Sequence, residues 1–171
     1  VHGVKFDIAG SFRRKKTTSR DVDIVLSKGQ FRTSLSVWKK FVLQMSSRTV
    51  KFHKPFAGGD NKLSVLVSVR VPLGVLKIIK KNHPTQLHKR VWKIKTDIFV
   101  TPPKEYMFML LYATGSGDFN IMMRAQAKRK GYLLNQRGLF DRSSLRLVAV
   151  KNVKHLFTVL GIAYRSPSER V

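Results

Sequence analysis

The chain has 171 residues, and its 34 Lys and Arg stand against nine Asp and Glu, a formal net charge of +25. A field of that sign attracts polyanions, and an apolar fraction of 43% is enough for a folded core, so a nucleic-acid partner is expected. The absence of cysteine excludes disulfides and thiolate metal sites and agrees with a reducing compartment, without naming one. The longest apolar run, Tyr106 to Ala113, is too short to span a bilayer, and the basic residues do not line one amphipathic helix, so no membrane partner is expected.

In chain order, Val4 to Ala9 alternates as a strand and ends at the Gly10-Ser11 turn, which opens a basic run from Arg13 to Lys16. Asp21 to Leu26 reads as a second strand. Apolar residues at Phe31, Leu35, Trp38, Phe41 and Met45 predict a helix. Val50 to Phe56 and Lys62 to Val71 read as a hairpin around Gly58-Gly59-Asp60-Asn61. Leu73 to Arg90 is a basic connection with no assigned element. Val91 to Val100 is a strand that Pro102-Pro103 ends. Helices are expected over Lys104 to Ala113 and Asp118 to Lys130, then short strands between Tyr132 and Val148, then a helix from Asn152 to Leu160. Strands followed by helices predict an α+β fold, divided near Pro102 into residues 1–103 and 104–171.

Two of the nine acids, Asp21 and Asp23, are one residue apart on a strand, so period two sets both carboxylates on one face. Such a pair repels itself unless a cation intervenes. Asp97 lies between apolar strand residues and, if buried, also needs a positive partner. As hard oxygen donors the three suit Mg²⁺ or Mn²⁺; the alternative is that each pairs with one of the abundant Lys or Arg residues. Gly10-Ser11 offers backbone N–H groups and a hydroxyl to an anion, and Arg14 a forked guanidinium. The five histidines show no metal-binding spacing. Trp92 and the methionines at 107, 109, 122 and 123 read as core.

These residues resemble the family X DNA polymerases, the group of DNA polymerase beta. Gly10-Ser11-Phe12-Arg13-Arg14 with Asp21-Val22-Asp23 is similar to the family's first motif, and Asp97 matches its third carboxylate. Tyr112-Ala113-Thr114-Gly115-Ser116, Phe119-Asn120 and Met123-Arg124-Ala125 resemble its nucleotide-binding segment. The tail fits through Gly138-Leu139-Phe140 and Tyr164-Arg165-Ser166-Pro167. Two positions depart from the pattern: Arg20 stands where a small residue usually precedes the first Asp, and Ala113 where an aromatic usually follows Tyr112. The second change leaves ribose discrimination open.

The resemblance implies a nucleotidyltransferase palm, a mixed sheet with flanking helices over residues 1–103, and a small α/β nucleotide-binding subdomain (thumb or fingers) over 104–171. It implies two Mg²⁺ or Mn²⁺ ions held by Asp21, Asp23 and Asp97, a triphosphate held by Gly10, Ser11 and Arg14, and a sugar bordered by Tyr112, Thr114 and Gly115. Asn120 would meet the minor-groove edge of the incoming base and Arg124 the template. Lys77, Lys80, Lys81 and Lys128 are expected at DNA phosphates, in binding that weakens steeply with salt. The implied activity is template-directed addition of dNTPs to a primer in short-gap repair, by a monomer acting on primer-template or gapped duplex. The alternatives are template-independent transfer and an RNA-binding structural role in a ribonucleoprotein. The chain shows no helix-hairpin-helix segments and no lyase domain, so no lyase activity is expected of it.

Overall fold

The computed structural model describes residues 4–28, 44, 46–59, 61–82 and 90–170; the helix expected over Phe31 to Met45 lies outside these, Gln44 excepted. The chain divides into two compact units, Val1–Phe31 with Phe99–Val171, and Arg32–Ile98. Strands and helices alternate in an α+β arrangement.

In the first unit, strand β1 (Val4–Ile8) pairs antiparallel with β2 (Asp21–Lys28), Val4 opposite Lys28 and Ile8 opposite Ile24. The short helix α1 (Gly10–Arg13) sits in their connection. The end of β6 (Val91–Thr101) enters this unit, and Pro102 stops it because proline cannot donate to a ladder. A single 3₁₀ turn (Pro103–Glu105) then leads into α3 (Tyr106–Thr114). This helix is apolar almost all round and accordingly buried on most faces: Tyr106, Phe108, Met109, Leu111 and Thr114 are all enclosed. Ser116 caps α4 (Gly117–Arg129) by accepting from the Phe119 N–H at 3.2 Å, with Asp118 in the first turn and Lys128 and Arg129 in the last, charges that complement the helix dipole. The hairpin of β7 (Tyr132–Asn135) and β8 (Gly138–Asp141) follows, its turn braced by Asn135 Oδ1, which accepts from the Arg137 N–H at 2.8 Å.

Helix α5 (Val153–Leu160) starts at Asn152, whose side chain accepts from the His155 N–H at 2.9 Å, and stops at Gly161, which turns left-handed at φ +66°. The core of this half gathers Phe108, Phe119, Met123, Leu139, Leu156 and Phe157, the Phe119 and Phe157 rings stacked at 6.0 Å. A smaller cluster of Ala9, Val25, Phe99, Tyr106 and Met109 packs α3 under β2. The methionines belong to these cores as expected: Met109 and Met123 are buried, Met107 and Met122 partly so. Replacing Asn152 with Ala removes one cap and is expected to lower stability by about 1 kcal/mol, measured as a lower urea midpoint at unchanged slope.

The second unit holds β3 (Val50–Phe52), β4 (Ala57–Gly58), β5 (Lys62–Arg70), helix α2 (Leu73–Asn82) and most of β6. Both β3 and β4 pair antiparallel with β5, Val50 opposite Val69 and Ala57 opposite Ser64. Of the strand expected over Val50 to Phe56 only Val50–Phe52 forms; residues 53–56 are a break containing Pro55, which lacks an N–H, and pairing resumes at β4. Leu63, Val65 and Val67 bury one face of β5 with period two. The basic connection with no assigned element begins as α2. Its Leu-Gly-Val-Leu-Lys-Ile-Ile sequence mixes β-branched residues with a helix pattern, and the Leu76 N–H donating to the Pro72 carbonyl closes the first turn. Trp92, read as core, is 40% exposed because the first three residues of β6 all remain open. No described helix is long and apolar enough to cross a membrane.

Candidate active site

The turn after β1 is built against the carboxylate of Asp23. The Ala9 N–H donates to the Asp23 carbonyl at 2.8 Å, and the chain then bends into α1 through Gly10 at φ +58°. A Cβ at position 10 would lie 2.1 Å from Asp23 Oδ2, so only glycine permits this approach. Ser11 Oγ donates to Ser19 Oγ at 2.6 Å, and Ser19 Oγ donates in turn to the Asp21 carbonyl, so the loop leading into β2 is pinned to the start of α1. Asp21 and Asp23 are both half-buried and share one face of β2, as their spacing predicts.

Arg14 ties this turn to the second motif: its Nη1 donates to the carbonyl of Thr114. Thr114 is buried, its hydroxyl donating to the Leu110 carbonyl at 2.6 Å, and Gly115 follows at φ +67° with the Gly115–Ser116 peptide cis. A Cβ on Gly115 would stand 3.2 Å from Arg14 Nη1, so the second motif meets the Arg14 guanidinium through a glycine. The Nε of Arg14 is buried and finds no hydrogen-bond partner among the described residues. Asn120 Nδ2 donates to the Tyr112 carbonyl at 2.8 Å, holding α3 to α4. The Tyr112 ring is exposed, edge-on to Phe99, with the Arg124 guanidinium 5.5 Å from its centre. Lys128 is exposed on α4, and Lys77 and Lys81 are exposed on α2; the side chain of Lys80 lies outside the described set.

In the second unit, Asp97 is 5% exposed on β6. Ser64 Oγ donates to its Oδ1 at 2.5 Å, Lys62 Nζ lies 2.8 Å from Oδ2, and Lys95 Nζ 3.6 Å. Burial pushes its pKa up, and the hydrogen bonds from Lys62 and Ser64 and the Lys62 and Lys95 charges more than offset this, holding it below the usual carboxylate range. A carboxyl with a lowered native pKa adds stability that is present above its unfolded value and is lost as pH falls through the native one. Lys62→Met leaves the buried carboxyl with a weaker counter-charge. It is expected to raise the Asp97 pKa and move acid unfolding to higher pH, read by carbon-detected NMR titration of the aspartates and by circular dichroism. Lys62 and Ser64, two apart on one face of β5, were not singled out in the sequence; the signal for them was the same period-two spacing that marked Asp21 and Asp23.

Among the described residues no three His, Asp or Glu side chains gather closely enough to hold a metal ion. The donor chemistry nevertheless fits a hard divalent cation at the Asp21–Asp23 face, where two carboxylates share one face of a strand. For Asp97 the fit depends on Lys62 releasing Oδ2.

Comparison with known families matches residues 1–91 to the DNA polymerase beta palm and residues 109–171 to the DNA polymerase beta thumb. The chain belongs to the family X DNA polymerases. This family X chain is 30% identical over 171 residues to DNA polymerase lambda of Rattus norvegicus, covering 94% of the chain and 28% of that relative. It is 36% identical over 83 residues to Repair DNA polymerase X of African swine fever virus, covering 47% of the chain and 48% of the viral protein. The family X chain thus spans between about a quarter and a half of these relatives. Its fold is similar to that of Leishmania infantum polymerase beta in a ternary P/T complex, with a TM-score of 0.74 at 25% identity, covering 98% of this chain and 67% of that one.

Proposed function

We propose that the chain houses the nucleotidyl-transfer centre of a DNA-directed DNA polymerase that extends a primer 3′-hydroxyl with dNTPs across short gaps in DNA repair. The observation that carries this reading is the hydrogen bond from Arg14 to the Thr114 carbonyl, which joins the Gly-Ser-Phe-Arg-Arg and Tyr-Ala-Thr-Gly-Ser motifs beside the Asp23 carboxylate. The names of the rat, viral and Leishmania relatives support it.

In this reading residues 1–103 act as palm and 104–171 as thumb. Asp21 and Asp23, with Asp97 as third carboxylate, would hold two Mg²⁺ or Mn²⁺ ions. Bound there, such ions supply Lewis acidity at the entering and leaving oxygens of an in-line displacement. The backbone at Gly10, the Ser11 hydroxyl and the Arg14 guanidinium would bind the triphosphate; the hydrogen bond to the Thr114 carbonyl already fixes where the guanidinium stands. Tyr112, Thr114 and Gly115 would border the sugar, with Ala113 leaving that border shorter than an aromatic would. Asn120, held by the Tyr112 carbonyl, faces the base edge in this assignment, and Arg124 the template. Lys128, Lys77, Lys80 and Lys81 would grip backbone phosphates, consistent with a net charge of +25.

Primer extension across a one-nucleotide gap with Mg²⁺ tests the reading, with dNTP and NTP compared and a primer lacking template run alongside. Extension with dNTP on the gapped duplex, abolished by chelation, is the expected result. No extension on any primer by the intact protein would defeat the proposal and favour a structural RNA-binding role. Equal extension without template would replace it with template-independent transfer.

A further inference from the structure

A cleft of about 370 Å³ in the first unit, lined by neither Asp21 nor Asp23, gathers three cationic side chains around a single carboxylate. Lys5, Asp7, Arg13, Tyr106, Thr114, Tyr164 and Arg170 supply its polar lining, over an apolar floor that includes Leu111 and Val153. Arg170 is 3% exposed, its guanidinium 5.3 Å from the Phe119 ring centre and 5.7 Å from that of Phe157. Its Nε donates to the Arg165 carbonyl at 3.1 Å, and among the described residues it makes no ion pair. Burial lowers its pKa, and Arg13 pushes the same way while Tyr164 opposes both. Arg13 is paired with Asp7 Oδ1 at 3.0 Å, and the Tyr106 hydroxyl donates to Asp7 Oδ2 at 2.6 Å, so both oxygens of the single carboxylate are in use. Burial and the Asp7 charge push the Tyr106 phenol far above its ordinary pKa, keeping it a neutral donor. Lys5 holds its ammonium 4.3 Å from the Tyr106 ring centre.

Three cations therefore line a concave, half-apolar surface with one anion among them, and one of the three is enclosed. A buried guanidinium without a counter-charge is costly, and two arginines acting on each other add repulsion. A ligand carrying negative charge relieves both costs at once. We propose that this cleft is a second anion site, taking a phosphate group through Arg13, Arg170 and Lys5, carried either by a small free anion or by the 5′ end of a nucleic-acid strand. Adjacent arginines would then serve different anions, Arg14 the nucleotide site and Arg13 this one. The inference needs neither Asp21 nor Asp23 and stands apart from the polymerase reading.

The arginine Nε–H resonances of the isotope-labelled full chain report the site directly. They are followed at constant ionic strength while inorganic phosphate, a short 5′-phosphorylated oligonucleotide, or the same oligonucleotide with a 5′-hydroxyl is added. A saturable shift of the Arg170 signal with inorganic phosphate or with the phosphorylated end only, persisting in Arg14→Gln and weakened about tenfold in both Arg13→Gln and Lys5→Gln, supports the proposal; which of the two ligands shifts it names the source. An unmoved Arg170 signal overturns it. So does a shift equal for the phosphate and hydroxyl ends, or one unchanged in Arg13→Gln and Lys5→Gln.

Discussion

Replacing Asp23 with Asn is expected to lower primer extension by about 10³-fold or more while leaving the fold and the grip on DNA intact. The amide keeps the size of the carboxylate, so it still fits beside Gly10, where a Cβ would stand only 2.1 Å from Oδ2. The Asp23 carbonyl that accepts from the Ala9 N–H at 2.8 Å belongs to the backbone and is unaffected. What the change removes is the negative charge of one of two neighbouring oxygen donors, and a neutral amide oxygen is a far weaker ligand for a hard cation. The direction of the DNA-binding effect separates this from general damage. Removing an acid from a chain of net charge +25 can only strengthen its attraction to phosphate backbones, so affinity for gapped duplex should hold or rise. Single-turnover extension and fluorescence anisotropy on the same substrate read the two quantities. Activity within about tenfold of the parent would remove Asp23 from the chemistry.

Gly10→Ala is expected to cost activity through geometry and not through charge. At φ +58° an alanine carries roughly 1–2 kcal/mol of backbone strain, and its methyl must displace the Asp23 carboxylate or pull the α1 turn away from it. A displacement on the order of 1 Å at a reacting site lowers rate about 10²-fold. Gly131→Ala is the control. Gly131 has φ +77° and nothing within 4 Å of the added Cβ, so it bears the same kind of strain without touching the site. Similar losses of stability in the two variants, measured by denaturant unfolding, with loss of extension only in Gly10→Ala, is the predicted outcome. Equal extension in both would mean that the Gly10–Asp23 contact does not position the carboxylate.

Much of the fold is legible along the chain. Helices α3, α4 and α5 fall within a few residues of their expected positions, because Pro102-Pro103, Ser116, Asn152 and Gly161 act as local start and stop signals. Strands β2, β5 and β6 follow from alternation that a half-buried pleat requires. Where local signals conflict, the reading fails: an apparently continuous strand stops short of Pro55, and α2 hides in a run with equal claims to helix and strand.

The sequence alone determined that scarce acids pair on one strand face, that a glycine-serine turn precedes them, and that the net charge sets up a field attracting polyanions. These are properties of period, residue type and net charge, and each is set within a few residues or by simple summation. Tertiary structure alone decided that Arg14 reaches the carbonyl of Thr114, a hundred residues away, and that Lys62 and Ser64 engage Asp97. It also decided that Arg170 is enclosed against Phe119 and Phe157 and makes no ion pair among the described residues. Such contacts depend on which surfaces bury one another, and burial is a property of the packed chain that no short stretch of residues carries.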